Sequence, residues 1–435
     1  MTPAAHRARV AGSLAFGVQG LVLAMILTSL DSFKSRYGIG DLTISATILG
    51  VCVMAGLGTV VADQLARRVG GSRGALRLGL VLVAVAVVLI ATAPEVGLLF
   101  VGFGVYGLAL GMVDAGTNMQ AVAVQAEYGR PLLTGFYASW SAGGILGTLA
   151  IAVSSGRIPD DPVAWTIGVG TVLALAAAVV VGRGSLRPTD VTVVPVQPRA
   201  DAPAPVIPWA PLLLLGLGVA AYYVNDQAVS TWSPIFVHEV FGEDGTITKL
   251  GYAVYLCTAL GSRLVGDACV RRWGRGHVVR AASLIGAAGL LVVLVSRSPW
   301  QAVVGFAIAG AGLGLIAPLC FSAAGRLAPG HADAVVARLN NFNYLGAVLG
   351  GVIVGVVGNA SSSMRWGFAI PAVLVVVVAV LAGRFDSLGG HEHDAGEGAP
   401  EGHASDEHAG GGHASDEHAG GAALAATPTT PGSDA

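Results

Sequence analysis

Polar and apolar residues separate into blocks along this chain. Between residues 11 and 383, apolar runs of about 18–23 residues follow one another, broken by short stretches where arginine, glycine and acidic residues collect. Each run is long enough to cross a hydrocarbon core of about 30 Å as a helix. Twelve can be drawn, at 11–30, 42–64, 75–92, 96–119, 132–154 and 163–182, then at 209–231, 250–268, 278–296, 299–321, 339–358 and 364–383. In lipid a helix satisfies its own backbone groups, so the expected fold is an all-α membrane bundle of about twelve transmembrane helices.

The blocks repeat. Residues 183–208, rich in Pro, Val and Ala, read as a flexible cytoplasmic linker between an N-terminal six-helix half (1–182) and a C-terminal six-helix half (209–383). Asp63-Gln-Leu-Ala-Arg67-Arg68-Val-Gly70 after the second run matches Asp267-Ala-Cys-Val-Arg271-Arg272-Trp-Gly274 after the eighth, both reading D-x-x-x-R-R-x-G. Gly107 with Gly111 in run four matches Gly310 with Gly314 in run ten, and Gly143 with Gly147 in run five matches Gly346 with Gly350 in run eleven. Glycines four apart let helix backbones approach closely, and two pseudo-symmetric halves are an arrangement transporters use.

Composition agrees with the pattern: 54% of residues are hydrophobic and 11% charged, with a mean hydropathy of +0.71. Such a surface cannot be solvated by water alone, so the lipid bilayer is an expected partner. With both termini cytoplasmic, 18 of the 24 Lys and Arg fall on the inner side, as the positive-inside rule requires of a multi-pass plasma (inner) membrane protein. The short basic stretch before the first run reads as part of an anchor rather than a cleaved signal. The net charge of −2 hides an asymmetry, because ten of the 26 acidic residues follow Arg384, leaving the body at +8. Cys52, Cys257, Cys269 and Cys320 lie in or beside apolar runs and imply helix packing, not a disulfide framework. No G-x-x-x-x-G-K-[ST] loop and no catalytic constellation are present, and nothing points to nucleic acid, so an enzyme or an ATP-driven pump is not expected.

Polar residues inside apolar runs are the candidate chemistry. Asp114 stands in run four with Asn118 one turn on, on the same face; an intramembrane carboxylate is costly, so Asp114 reads as a proton carrier or as a structural hydrogen-bond partner. Run seven holds Tyr222, Tyr223, Asn225, Asp226, Gln227, Thr231 and Trp232, donors, acceptors and a stacking surface suited to a polar solute. Trp232 could equally anchor at the outer interface. Run eleven opens with Asn340, Asn343 and Tyr344, which reach a cavity or cap the helix. Gln19, Tyr252 and Tyr255 are further lining candidates. Asp63, Arg67 and Arg68, with Asp267, Arg271 and Arg272, are candidate cytoplasmic gating contacts.

These motifs resemble the major facilitator superfamily over about 11–383, and more closely its fucose-permease-like members and related bacterial sugar permeases. The D-x-x-x-R-R-x-G loops are similar to the superfamily's signature loop, where an Asp pairs with basic residues and locks one conformation; here Thr59, Gln64 and Ala66 replace Gly, a basic residue and Gly. Gly107-Leu-Ala-Leu-Gly111-Met-Val-Asp114-Ala-Gly-Thr-Asn118 resembles the fourth helix, whose acid is tied to proton coupling. Phe136-Tyr137-Ala138-Ser139-Trp140-Ser141, Asp226 followed by Trp232, and the G-R-L-x-G-D stretch through Arg263 and Asp267 also resemble it, although relatives often carry His at Tyr137 and a second acid at Thr231. The resemblance implies proton coupling through Asp114 and Asp226, solute contacts that include Tyr137 and Trp140, and a gating role for Arg263.

After Arg384 the chain becomes low-complexity, with His391, His393, His403, His408, His413 and His418 set among acids and glycines. This reads as a disordered tail that binds metal adventitiously, or as a capture segment for nickel or zinc; no other cofactor is expected beyond a proton as coupling ion. The leading expectation is a monomeric, proton-coupled secondary transporter of a small polar or sugar-like solute working by alternating access. Export of drug-like or secondary-metabolite compounds, export of divalent metal using the tail, and solute sensing without transport are the alternatives.

Overall fold

The computed structural model describes residues 3–68, 71–154, 162–187, 208–243, 246–328, 331–361 and 363–384. Residues 188–207 of the linker expected over 183–208, and the tail from 385 with His391, His393, His403, His408, His413 and His418, lie outside the described residues. Among the described residues there are fifteen helices: α1 (Pro3–Thr28), α2 (Leu30–Tyr37), α3 (Asp41–Arg68), α4 (Ser72–Thr92), α5 (Val96–Tyr128), α6 (Leu133–Ser154), α7 (Pro162–Gly184), α8 (Trp209–Phe241), α9 (Thr246–Trp273), α10 (Arg275–Val295), α11 (Pro299–Leu313), α12 (Ile316–Ala324), α13 (Ala332–Ala360), α14 (Met364–Gly367) and α15 (Ala369–Leu381). No β-strand occurs among the described residues. Taking α11 with α12 and α14 with α15, and setting aside the short α2, they make the twelve spans that the apolar runs require.

Two spans are broken where the sequence reads as continuous, and proline explains both. Pro318 has no N–H to give the carbonyl of Gly314 four residues earlier, and the chain turns at Gly314 and Leu315 before α12 begins. Pro371 stands in the same relation to Gly367, and the second break falls at Phe368. α2 lies between the first two apolar runs and has no counterpart in the hydropathy pattern. It carries Lys34 and Arg36 beyond the first span, buries Phe33, and is held by the Tyr37 hydroxyl donating to Ala93 O at 2.7 Å.

Helices α1–α7 and α8–α15 repeat one packing scheme. α1 lies along α6 and α3 along α5; in the same way α8 lies along α13 and α9 along α11, while α4 packs on α5 and α7 as α10 packs on α11 and α15. The paired glycines sit at these contacts. A Cβ on Gly111 would run into Ala55 O, on Gly310 into Tyr255 O, on Gly143 into Gly17 O, and on Gly350 into Val224 O. Only glycine permits that approach. Both groups nonetheless pack into one body rather than two separate units.

The outer surface is apolar, with Val172, Leu146, Val356 and Val380 among its most exposed side chains. Trp209 and Trp273 at one end, and Trp300 and Trp366 at the other, are 58–61% exposed, an aromatic belt at each rim. The first of these ends, where α1 begins and α15 finishes, carries Arg67, Arg68, Arg130, Arg271 and Arg272, and is here the basic end. All four cysteines are free.

Candidate functional site

Two polar clusters occupy the middle of the bundle. In the first, Asp114 of α5 gathers donors from both groups of helices: the Gln19 amide from α1, and from α13 the Tyr344 hydroxyl and the Asn343 amide, the last at 3.4 Å. Asp114 is partly exposed, whereas Gln19 is buried and its Oε1 has no partner among the described residues. A carboxylate accepts from all of these donors while it is ionised, and so ties helices of both groups together.

The second cluster centres on Arg263 of α9, which is 2% exposed. Its Nε donates to Gly314 O at 3.1 Å, its second nitrogen to the Tyr222 hydroxyl at 2.6 Å, and its third to Ser141 Oγ of α6. The Gly314 carbonyl is the one Pro318 leaves without its helical donor, so a break in the helix supplies an acceptor for a buried cation. Tyr222 in turn donates to Asp226 Oδ1 at 3.2 Å, and Tyr255 donates to the same oxygen at 3.1 Å. Tyr252 stacks on Tyr255, ring centroids 6.3 Å apart. The guanidinium also lies 5.7 Å from the Tyr137 ring and 5.9 Å from the Tyr222 ring.

Below these clusters, toward the basic end, Asn118 donates to Asn340 Oδ1 at 3.4 Å and accepts from Tyr137 at 3.0 Å, and Asn340 donates to Thr59 Oγ1 at 3.2 Å. Thr59 is one of the departures from the superfamily loop, and its hydroxyl makes a bond across the two groups that glycine could not. Further down, Gln125 meets Ser322 at 2.9 Å, Arg338 approaches Asp63 at 3.9 Å, and Asp267 accepts from the backbone N–H groups of Thr134 and Gly135 at 3.2 and 3.0 Å. That last contact places a carboxylate of α9 on the N-terminal turn of α6, where the helix dipole favours negative charge.

The candidates Gln19, Asp114, Asn118, Tyr137, Tyr222, Asp226, Tyr252, Tyr255, Asn340, Asn343 and Tyr344 are thus brought together. Several others are not. Asn225 is turned away, its amide donating to Ala221 O and, at 3.1 Å, to Pro371 O of α15. Trp232 donates to Gly351 O at 2.9 Å and packs on α13. Trp140 is half-buried against the core. Arg263, expected at the gate, lies one turn deeper than Asp267 and belongs to the central cluster. Of the remaining gating candidates, Arg67 pairs within its own helix with Asp63, Arg68 and Arg271 are exposed, and Arg272 lies over the ring of Trp273. The D-x-x-x-R-R-x-G repeats therefore share spacing without sharing contacts. Ser141, Gln125, Ser322 and Arg338 were missed; their signal is polarity inside an apolar run for Ser141 and near the basic ends of runs for the other three.

A helical bundle with apolar flanks, aromatic rims and a polar layer at mid-depth defines a polytopic membrane protein of the solute-transporter class. The family model of the Major Facilitator Superfamily matches residues 12–277 and 246–416, and the chain belongs to that superfamily, whose members are transporters and not enzymes. It is 27% identical to an uncharacterized MFS-type transporter of Yersinia pestis, over 86% of this chain and 94% of that one. It is 28% identical to an uncharacterized transporter of Sinorhizobium fredii, over 83% and 95%. Among solved structures, the E. coli fucose:proton symporter FucP in its outward conformation matches with a TM-score of 0.72 at 14% identity, covering 86% of this chain and 98% of FucP. The proton:xylose symporter XylE matches with a TM-score of 0.73 at 12% identity, covering 88% and 95%. At these identities the structural likeness shows the fold.

Proposed function

We propose that this chain is a proton-coupled secondary transporter that moves a small polar, sugar-like solute across the plasma membrane by alternating access between two halves of six helices, with both termini cytoplasmic. The observation that carries the reading is the convergence of Gln19, Asn343 and Tyr344 on Asp114. Ionised, Asp114 accepts from both halves and holds them together at mid-depth. Protonated, it loses much of its pull on the α13 donors, so taking up a proton from one side loosens the contact that separation of the halves must break.

Among the described residues, the hydrogen bonds joining the two halves lie at mid-depth or toward the basic end, while Asp114 and Asp226 stay partly exposed. This is the arrangement of a transporter closed on the cytoplasmic side. The unpartnered oxygen of Gln19, the amides of Asn118 and Asn343 and the tyrosine faces suit a hydroxylated solute, which needs both donors and acceptors. FucP is a fucose:proton symporter and XylE a proton:xylose symporter, which points the same way.

The reading is tested by uptake into proteoliposomes under an imposed pH gradient, with a panel of monosaccharides, drug-like cations and divalent metals. Gradient-driven uptake of a sugar alone supports it. Uptake of cations or metal instead assigns one of the export functions, and solute binding without uptake under any gradient assigns a sensor. Reporter fusions that put the C-terminus outside would contradict the orientation.

A further inference from the structure

A cleft of about 440 Å³ opens at the basic end, between α1 and α6 of the first group and α9 of the second. Arg9, Arg130 and Arg271 line it together with Ser13, Leu264 and Asp267. The guanidinium groups of Arg9 and Arg130 lie 5.9 and 5.6 Å from the centre of the same Tyr128 ring, which holds them on the first-group wall. Arg271 faces them from α9. Asp267, the acid in this lining, already accepts two backbone N–H groups from the start of α6. Three cations thus share the cleft with one carboxylate whose oxygens are engaged elsewhere, so the space is short of negative charge.

Its edge is not aqueous. Leu264 lines the cleft and is 68% exposed on the apolar outer face of α9. The cleft therefore sits at headgroup depth and opens sideways onto the bilayer. We propose that it binds the phosphate headgroup of an anionic phospholipid, with the acyl chains passing outward over Leu264. A soluble phosphate would satisfy the arginines equally but would leave the apolar edge against water. Because Arg9 and Arg130 belong to one group of helices and Arg271 to the other, the bound headgroup bridges the seam next to the Asp267 contact and favours the state in which this end is closed.

Native mass spectrometry of the full chain, titrated with phosphatidylglycerol or phosphatidylcholine, tests this. Wild type is expected to retain phosphatidylglycerol selectively, and inorganic phosphate is expected not to displace it. Attraction of a basic side chain to anionic lipid corresponds to roughly fivefold in affinity, so Arg130→Gln with Arg271→Gln should weaken phosphatidylglycerol about thirtyfold. Arg9→Gln alone should weaken it about fivefold, which keeps the test decisive if the double variant folds poorly. Arg326→Gln, exposed at the same end outside the cleft, should leave it unchanged. Equal retention of the two lipids, an equal loss in Arg326→Gln, or displacement by inorganic phosphate would each overturn the assignment.

Discussion

Asp114 and Arg263 are the two charges on which the centre of the bundle turns, and each is bonded to both groups of helices. Tyr344→Phe removes one donor from a carboxylate, a bond of about 1.5–3 kcal/mol; the expected result is a shift toward the state open at the basic end, measured by fluorescence quenching of a label at that end. Arg263→Lys replaces a planar fork reaching Gly314, Tyr222 and Ser141 with a single ammonium, so it should lower thermal stability by about 2 kcal/mol despite keeping the charge. Most of this layer was legible as polarity inside apolar runs, because lipid makes such residues expensive and so informative. Facing was not. Asn225 and Asp226 are neighbours in sequence and about 100° apart around α8, so one reaches Tyr255 and the other Pro371. Depth is not legible either: Arg263 shares a motif with Asp267, and four residues along a helix are about 6 Å.

Among the helices, the glycine pairs carry the packing. Gly143→Leu drives a side chain into the backbone of α1 at Gly17 and should cost about 3 kcal/mol, seen as a lower unfolding temperature in detergent, whereas Gly261→Leu, with open space around its Cβ position, should leave that temperature unchanged. The pairs were legible because their spacing repeats between the halves. The break between α11 and α12 was not, since hydropathy runs on through 299–321 and only the missing N–H of Pro318 marks it. Pro318→Ala would offer the Gly314 carbonyl a helical donor again, in competition with Arg263; transport is expected to fall while helix content rises, measured by uptake and circular dichroism on the same preparation.

For the whole molecule, the contacts between halves cluster toward the basic end: Asn340 with Thr59, Gln125 with Ser322, Asp63 with Arg338, and Asp267 with the start of α6. Cysteines at 125 and 322, joined by a short bifunctional reagent, should arrest transport, and cleaving the reagent should restore it. The twelve spans and their pseudo-symmetry could be read from run length and motif offset, because a bilayer fixes helix length and a repeat fixes the packing scheme. Which residues cross the seam could not, since each such contact depends on the relative placement of halves far apart in sequence. The most direct test of the account is internal pH in proteoliposomes of the purified chain on addition of a transported sugar, wild type against Asp114→Asn. Proton coupling through Asp114 requires a solute-dependent pH change in wild type that is absent from Asp114→Asn while the variant still binds the solute. An equal pH change in both would contradict it.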